Sequence, residues 1–472
     1  MKILIQNGEI VNAAETFKAD LLIDGEKIVA VGHNLPTDGV DKIYDAKGKY
    51  VMPGGIDVHC HLAMPFMGTV SKDDFSTGTR CAVAGGTTSI IEFCLPAKGQ
   101  SLKEALEVWD AKSKGLTYCD YSFHMAITDW NESIRSELDM CFERGITSFK
   151  VFTAYKGALM ISDEAIFELM LEVRERGGLV TAHAVNGDVL NALATRFAAE
   201  GKLTPHYHPL CQPPYAEGEA TGRILELGFL ADQPAYIVHM TARESVEELA
   251  RARTRGWESY GETCPQYLVL DDSVYDLPNF EGAKYVLSPP IRKQHDQEAL
   301  WGALANGIIQ TVGTDHCTFD FKGQKDMGRD DFRKIPNGLN GLEERMNVMY
   351  TYGVCRDRIT INRMVEVCCT NPAKLFGLYP NKGTIAPGSD ADVMIYDPSY
   401  RGTISAKTHH SAGDSNVYEG MAIEGRPSHV FVRGLLSFEE GKFIGQKGHG
   451  KFMSRPAERP MKSAPRPVTA SV

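Results

Sequence analysis

The sequence predicts an α/β fold in which a TIM (β/α)8 barrel is joined to a small β-sandwich domain built from both chain termini. Between about residues 54 and 380, short apolar, β-branched runs alternate with longer amphipathic stretches, which is typical of a parallel sheet with helical crossovers. Outside this region, both ends of the chain show short strands separated by turn residues. A chain of 472 residues is long enough for a barrel of ~250 residues and a second domain.

Eight apolar runs in the central region are candidate barrel strands. Strands of a parallel sheet are buried on both faces, so they are nearly continuous in apolar character. The eight runs begin near Ile56, Thr88, Tyr121, Ser148, Leu179, Ala235, Ser259 and Gln310. One crossover helix is clearly bounded, because Ser162 or Asp163 can cap it, apolar residues from Ile166 to Val173 follow at helical spacing, and Gly177-Gly178 can end it.

These patterns divide the chain into four segments. Residues 1–53 and 381–445 are predicted to form the two parts of the β domain, and residues 54–380 the barrel. Residues 446–472 contain four prolines, six basic residues and one acid. For this last segment two interpretations stay open: an arm that packs on a neighbouring subunit, or a disordered tail.

Composition and charge exclude several classes of protein. The chain carries 50 Lys and Arg against 61 Asp and Glu, a net charge of -11, which disfavours binding to nucleic acid or to an anionic membrane surface. The N-terminus does not have the pattern of a signal peptide, and no apolar run approaches the ~18 residues of a membrane helix. The odd number of cysteines, 11, is not typical of a disulfide framework, so we expect a cytoplasmic protein.

Candidate metal ligands lie at or near the predicted carboxyl ends of the strands, which is where barrel enzymes form their active sites. His59 and His61 are two residues apart, so they can point to the same face of the first strand. The complete set is His59, His61, Lys150, His183, His239 and Asp315. Imidazole and carboxylate are zinc ligands, and this supply exceeds the need of one tetrahedral ion. It suits two ions ~3.5–4 Å apart.

Five motifs carry a resemblance to a known family. They are Pro53-Gly54-Gly55-Ile56-Asp57-Val58-His59-Cys60-His61, Gly85-Gly86-Thr87-Thr88, Ser148-Phe149-Lys150-Val151-Phe152-Thr153-Ala154-Tyr155, Gly261-Glu262-Thr263-Cys264-Pro265-Gln266-Tyr267 and Gly313-Thr314-Asp315-His316-Cys317. The chain resembles the cyclic amidohydrolases, and among them the hydantoinase/dihydropyrimidinase branch, over nearly its whole length. The stretch from Glu262 to Tyr267 is most similar to the phenylhydantoinase-type members.

The resemblance implies a binuclear zinc centre. It implies that Lys150 is carboxylated by CO₂ to a carbamate that bridges the two ions, for which burial next to apolar side chains would supply the neutral amine. It further implies one Zn²⁺ on His59, His61 and Asp315 and a second on His183 and His239, with Mn²⁺ or Co²⁺ as alternative metals. The two ions and a hydroxide between them would open cyclic ureides, which are 5-substituted hydantoins or 5,6-dihydropyrimidines, to N-carbamoyl amino acids.

Further residues receive roles from the same resemblance. Asp315 is implied to transfer a proton to the leaving ring nitrogen, and the Tyr155 hydroxyl to bind the oxyanion. The backbone groups of Ser288 and Asn337, in Leu287-Ser288-Pro289-Pro290 and Ile335-Pro336-Asn337-Gly338, are implied to bind the ureide edge. Four apolar loop residues are expected to face the exocyclic substituent: Met64, Phe66, Phe152 and Leu159.

Three alternative functions, dihydroorotase, allantoinase and non-catalytic scaffold, differ in the residues that they require or lack. Dihydroorotases usually carry an arginine where this chain has Ala63, and allantoinases carry one slightly later, where residues 64–70 have none. A non-catalytic scaffold homologue would lack metal ligands, whereas all six positions hold competent residues here. The resemblance also implies a homotetramer. The residues leave open the choice between D and L substrates and the natural 5-substituent.

Overall fold

The central domain is a barrel of eight parallel strands, as predicted. The computed structural model describes residues 1–457. The strands, in their order around the barrel, are β6 (Gly55–Cys60), β9 (Thr87–Cys94), β10 (Asp120–Ala126), β11 (Ser148–Phe152), β12 (Leu179–His183), β13 (Ala235–Ile237), β14 (Ser259–Thr263) and β15 (Thr311–Val312). A parallel bridge between Cys60 and His316 brings the first and last strands together.

Helices follow most barrel strands, in agreement with the alternation of apolar runs and amphipathic stretches in the sequence. In residues 1–457 they are α1 (Phe75–Ala84), α2 (Leu102–Ser113), α3 (Glu132–Ser136), α4 (Leu138–Glu143), α5 (Asp163–Glu175), α6 (Gly187–Ala199), α7 (Tyr207–Leu210), α8 (Pro214–Leu230), α9 (Arg243–Thr254), α10 (Pro265–Val269), α11 (Gln294–Ala305), α12 (Arg345–Val348), α13 (Ile361–Val365) and α14 (Asn371–Leu375). Ser162 caps α5 by accepting from the Ala165 amide, and Ile166, Leu169 and Val173 are buried on the core side, which confirms the predicted helix.

Tighter and wider helical turns complete the connections. Short 3₁₀ turns cover Asp272–Asp276, Glu281–Tyr285, Lys325–Gly328 and Phe332–Lys334, and π-helical turns cover Met349–Val354 and Glu366–Thr370. A small hairpin of β7 (Pro65–Phe66) and β8 (Thr69–Val70) follows the first barrel strand. No helix of residues 1–457 combines the length and the apolar character that crossing a membrane requires.

Both ends of the chain build a second, mostly antiparallel sheet, as predicted. Its strands are β1 (Lys2–Val11), β2 (Thr16–Asp24), β3 (Lys27–Gly32), β4 (Lys42–Asp45), β5 (Tyr50–Pro53), β16 (Val393–Thr403), β17 (Ala422–Val432), β18 (Leu435–Glu439) and β19 (Lys442–Phe443). The N-terminal and C-terminal parts join where β5 pairs with β16, with Met52 opposite Met394. The side chains of Ile5, Leu21, Val393 and Phe431 belong to its own buried core.

A buried ion cluster connects the β domain to the barrel. The Lys382 ammonium lies 2.8 Å from the carboxylate of Asp120 on β10 and 3.3 Å from that of Asp390, and it also contacts Asp392. Arg433, just after β17, forms a second ion pair with Asp120. Burial alone would lower the pKa of Lys382, but the three carboxylates outweigh it and hold that pKa above its ordinary value. The cluster is therefore a set of fixed charges that depends on both domains.

Residues 446–457 lie against the chain's own barrel, a placement that neither interpretation of the C-terminal segment anticipates. Phe452 forms a bridge with Tyr121 and packs against Phe123. The buried Arg455 guanidinium donates to the hydroxyls of Ser122 and Ser148, each at 2.9 Å. The remainder of that segment, residues 458–472, lies outside the described residues.

Candidate active site

The barrel places all six candidate ligand residues at one end of its strands. His59 lies within β6 and His61 directly after it, Lys150 lies near the end of β11, and His183 is the last residue of β12. His239 and Asp315 lie two and three residues beyond β13 and β15, because those strands end earlier than the apolar runs indicate. Closure of the barrel then brings the first and last strands together, since the Asp315 amide donates to the His59 carbonyl at 2.8 Å.

Three of the predicted site residues have strained backbones. His239, Asp315 and Tyr155 have φ values of 40°, 53° and 64°, in the left-handed region that side chains other than glycine rarely adopt. All three residues lie just beyond the ends of their strands, β11, β13 and β15. Strain of this kind costs of order 1–3 kcal/mol and is found preferentially at functional sites.

His59, His61 and Asp315 form a compact cluster of metal-ligating atoms. One oxygen of Asp315 lies 3.2 Å from Nε2 of His59 and 3.2 Å from Nε2 of His61. Bonds of ~2.0–2.1 Å to a tetrahedral ion separate neighbouring ligand atoms by roughly 3.3 Å, so these spacings match the edges of a zinc coordination shell. The three donors fit one divalent metal ion.

His183 and His239 form a second pair of donors. Their facing nitrogens, Nδ1 of His183 and Nε2 of His239, are 2.8 Å apart. Burial, reinforced by the nearby Lys150 ammonium, holds the pKa of His183 well below its ordinary value, and burial together with His183 does the same for His239. Both rings are therefore neutral, which is the form in which imidazole binds a metal.

Lys150 is a buried amine in an apolar environment. Its side chain is 1% exposed, and its nitrogen lies 4.7 Å from the ring centre of Phe93 and 5.4 Å from that of Phe152. Burial lowers the pKa of Lys150 to about 7, although Glu262 and Asp315 act in the opposite direction. A large fraction of the amine is then neutral near pH 7, and a neutral amine can react with CO₂.

Two buried carboxylates, neither of them predicted from the sequence to have a role, orient the ligands. Glu262 accepts a hydrogen bond from His59 Nδ1 at 2.6 Å and from the His239 amide at 3.1 Å. Asp57 accepts from the His59 amide at 3.0 Å and from the Thr314 hydroxyl at 2.6 Å. Such carboxylate–histidine contacts fix the ring orientation of metal ligands. The sequence signal for such a role is an acidic residue inside an apolar strand, because burying a carboxylate costs free energy unless it is hydrogen-bonded or paired.

A cavity opens beside these ligands and contains the predicted substrate contacts. Tyr155, Ser288 and Asn337 all line it. Burial raises the pKa of Tyr155 to about 12, with Ser288 and Asn337 acting against the shift, so the hydroxyl is protonated and available as a donor. The Ser288 hydroxyl itself donates to the Gln212 side chain at 2.8 Å.

The other wall of the cavity is apolar. It is lined by the four residues expected to face the exocyclic substituent, Met64, Phe66, Phe152 and Leu159. Met64 and Phe66 pack with Cys317 and Phe319 in a small separate apolar cluster. The site therefore presents one polar edge and one apolar wall to a small ring.

A barrel with imidazole and carboxylate donors around a cavity at the carboxyl ends of its strands is the architecture of barrel hydrolases. Residues 50–437 match the model of the amidohydrolase family. The chain belongs to this family, and within it to the hydantoinase/dihydropyrimidinase branch. The resemblance seen in the sequence is thereby confirmed.

Individual relatives match along nearly the whole chain. A D-hydantoinase of Geobacillus stearothermophilus is 50% identical over 453 residues, covering 96% of both chains. A D-hydantoinase of Ralstonia pickettii is 45% identical, covering 96% of this chain and 99% of the relative. The crystal structure of dihydropyrimidinase from Brevibacillus agri superimposes with a TM-score of 0.96 at 49% identity, covering 97% of this chain and 99% of that one.

Proposed function

We propose that this protein hydrolyses cyclic ureides, namely 5-substituted hydantoins or 5,6-dihydropyrimidines, to N-carbamoyl amino acids. The single observation that carries the proposal is the joint placement of two sets of metal donors and the Tyr155, Ser288 and Asn337 contacts around one cavity. The relatives named D-hydantoinase and dihydropyrimidinase support the same assignment.

The donors divide between two metal ions in this proposal. His59, His61 and Asp315 would hold one Zn²⁺, and His183 and His239 the other, with a carboxylated Lys150 between them. When bound, the two ions supply a water molecule of lowered pKa as the nucleophile and polarise the carbonyl under attack. The same ligand types would accept Mn²⁺ or Co²⁺.

The chain's own residues move the proton and hold the substrate. Water adds across the amide bond: its oxygen joins the carbonyl carbon, the ring C–N bond breaks and a proton goes to the leaving nitrogen. Burial would raise the pKa of Asp315, but His59 and His61 outweigh it and keep that pKa below its ordinary value. Asp315 is therefore a carboxylate that can accept the proton and pass it to nitrogen, while the Tyr155 hydroxyl donates to the carbonyl oxygen as negative charge develops.

The cavity lining favours a neutral ring over an anionic one. Apart from Lys150, the basic residues in its lining are the four candidate ligand histidines, His59, His61, His183 and His239. Ala63 has no cation to offer, and its carbonyl instead accepts from Lys112 at 2.8 Å. A substrate carboxylate needs an arginine or lysine of its own. This supports a hydantoinase or dihydropyrimidinase over a dihydroorotase or an allantoinase.

A substrate panel tests the proposed function. Dihydrouracil, both enantiomers of phenylhydantoin, allantoin and dihydroorotate are compared by kcat/KM, with the N-carbamoyl product followed by mass spectrometry. We expect dihydrouracil or phenylhydantoin to exceed allantoin and dihydroorotate by about 10²-fold or more. Fastest turnover of dihydroorotate or allantoin would contradict the proposal. The absence of all turnover in protein that lacks stoichiometric metal would favour a scaffold homologue.

Replacing Tyr155 with phenylalanine is expected to reduce kcat by about 10²–10³-fold. The change removes one donor aimed at the developing oxyanion and leaves the ring in place. Steady-state kinetics with the best substrate of the panel measure the effect, and Tyr215→Phe, at a residue 74% exposed, is the matched control. An unchanged kcat in the Tyr155 variant would remove this residue from the mechanism.

We further propose a cytoplasmic homotetramer. All 11 cysteines are free, which agrees with a reducing compartment. Several large apolar side chains are exposed, among them Leu210, Phe229 and Leu230, and a subunit interface would cover such groups. Light scattering is expected to give about four times the chain mass of 52.0 kDa, and a monomer at micromolar concentration would overturn the assembly.

A further inference from the structure

Lys325 is a buried amine that the proposed chemistry does not use. It begins a 3₁₀ turn outside the barrel strands, and its side chain is among the largest that are fully buried. Among residues 1–457, no carboxylate lies within ion-pair distance of its nitrogen. Burial lowers the pKa of Lys325 to about 7, with the Cys317 thiol acting in the opposite direction. An amine in such a place is costly unless its hydrogen-bond donors are satisfied.

Two backbone carbonyls accept hydrogen bonds from this nitrogen. The Lys325 nitrogen donates to the carbonyl of Val286 at 2.7 Å and to the carbonyl of Gly338 at 2.7 Å. The Gly338 amide also donates to the Val286 carbonyl at 3.0 Å. One side chain therefore ties two loops that are about fifty residues apart in the chain.

These two loops are the ones that hold the predicted ureide contacts. Val286 stands two residues before Ser288, and Gly338 directly follows Asn337. Both Ser288 and Asn337 line the cavity, whereas Lys325 does not. Lys325 therefore bonds to both loops from outside the cavity.

Each loop also makes one close contact of its own, so a displacement cannot be taken up at these two points. Gly338 has a φ of 153°, and a Cβ there would lie 2.3 Å from the Cys317 carbonyl. The Leu287 carbonyl, on the other loop, is 2.6 Å from Nε2 of His208. A shift of either loop would therefore be transmitted to the cavity rather than absorbed locally.

We propose that Lys325 is a positioning residue that sets the spacing between Ser288 and Asn337, and with it the binding of the ureide edge. The inference rests on the proposed function for the identity of the substrate. Because the ureide edge is common to hydantoins and dihydropyrimidines, the effect of Lys325 is the same for substrates with and without a large 5-substituent. Because Lys325 touches no metal ligand, metal content is independent of it.

The test is Lys325→Met, with Lys322→Met as the matched control. Lys322 lies three residues away, and its side chain is exposed. We expect KM for both dihydrouracil and phenylhydantoin to rise about tenfold or more in the Lys325 variant, from the loss of two buried hydrogen bonds. We expect kcat to change much less and two metals per subunit to be retained. A folded, metal-loaded variant with unchanged KM for both substrates overturns the inference.

Amide hydrogen exchange and a second variant test the loop contact independently of turnover. Amide hydrogen exchange in residues 286–290 and 335–339 is expected to accelerate about tenfold or more in the variant and to be unchanged in the control. This readout does not need a substrate. If exchange is faster in the variant while the wild-type protein turns over no substrate, the proposed function is wrong and the contact of Lys325 with both loops is supported. If the Met variant does not fold, Lys325→Gln is tested by the same two criteria, because its amide nitrogen lies one bond nearer the backbone than the Lys325 nitrogen and so cannot keep both hydrogen bonds at 2.7 Å.

Discussion

Lys150→Ala is expected to lose the paired metals and to reduce kcat by at least about 10³-fold. The lysine is buried between Phe93 and Phe152, and burial lowers its pKa to about 7. A carbamate on this amine would give the two metals a shared anionic ligand, and alanine supplies none. Several kcal/mol of transition-state stabilisation depend on the metals, which sets the size of the effect.

Metal analysis and steady-state kinetics of the purified variant measure this loss. Lys98→Ala, at an exposed lysine, is the control and is expected to retain two metals per subunit and full activity. A Lys150 variant with two bound zinc ions and wild-type turnover would refute the carbamate assignment. A variant with one ion and little activity would agree with it, since His59, His61 and Asp315 keep their own cluster.

Lys382→Met is expected to destabilise the fold by about 3–5 kcal/mol. The change leaves the carboxylates of Asp120, Asp390 and Asp392 close together and partly or wholly buried, with one central cation removed. Breaking a buried ion cluster by removing one partner costs this much, because the remaining charges lose their compensation. Arg433 still pairs with Asp120, so the loss is partial.

Thermal unfolding measures this effect. With an unfolding entropy of ~2.1 cal/mol/K per residue over the whole chain, the expected decrease in Tm is roughly 3–5 °C. Lys407→Met, at an exposed lysine of the β domain, is the control and is expected to leave Tm unchanged. An unchanged Tm in the Lys382 variant would show that the cluster does not hold the two domains together.

Much of the fold follows from local patterns in the sequence. The eight barrel strands were predictable because burial on both faces forces nearly continuous apolar runs, and the helix capped by Ser162 because its signals are all local. The candidate ligands were predictable because parallel strands bring their carboxyl ends to one rim. The exact strand ends were not predictable, since β13 and β15 end two and three residues before His239 and Asp315, whose backbones are left-handed.

The remaining features depend on contacts between distant segments, which no local pattern encodes. Glu262 meets His59 across about two hundred residues of chain, and Lys382 meets Asp120 across 262. Arg345 reaches the carbonyls of Ile56 and Val312 inside the barrel. A charged residue in an apolar segment indicates that it needs partners, but it does not show which distant groups they are. Only the folded barrel shows which buried partners satisfy each charge.

Anomalous diffraction at the zinc edge tests the central claim most directly. The crystals would be grown from protein prepared without chelator. The account predicts two strong peaks at the carboxyl end of the barrel, one among His59, His61 and Asp315 and one beside His183 and His239, with density for a carbamate on Lys150. A map without any peak among these side chains, or with an unmodified lysine at position 150 beside fully loaded metals, would contradict it.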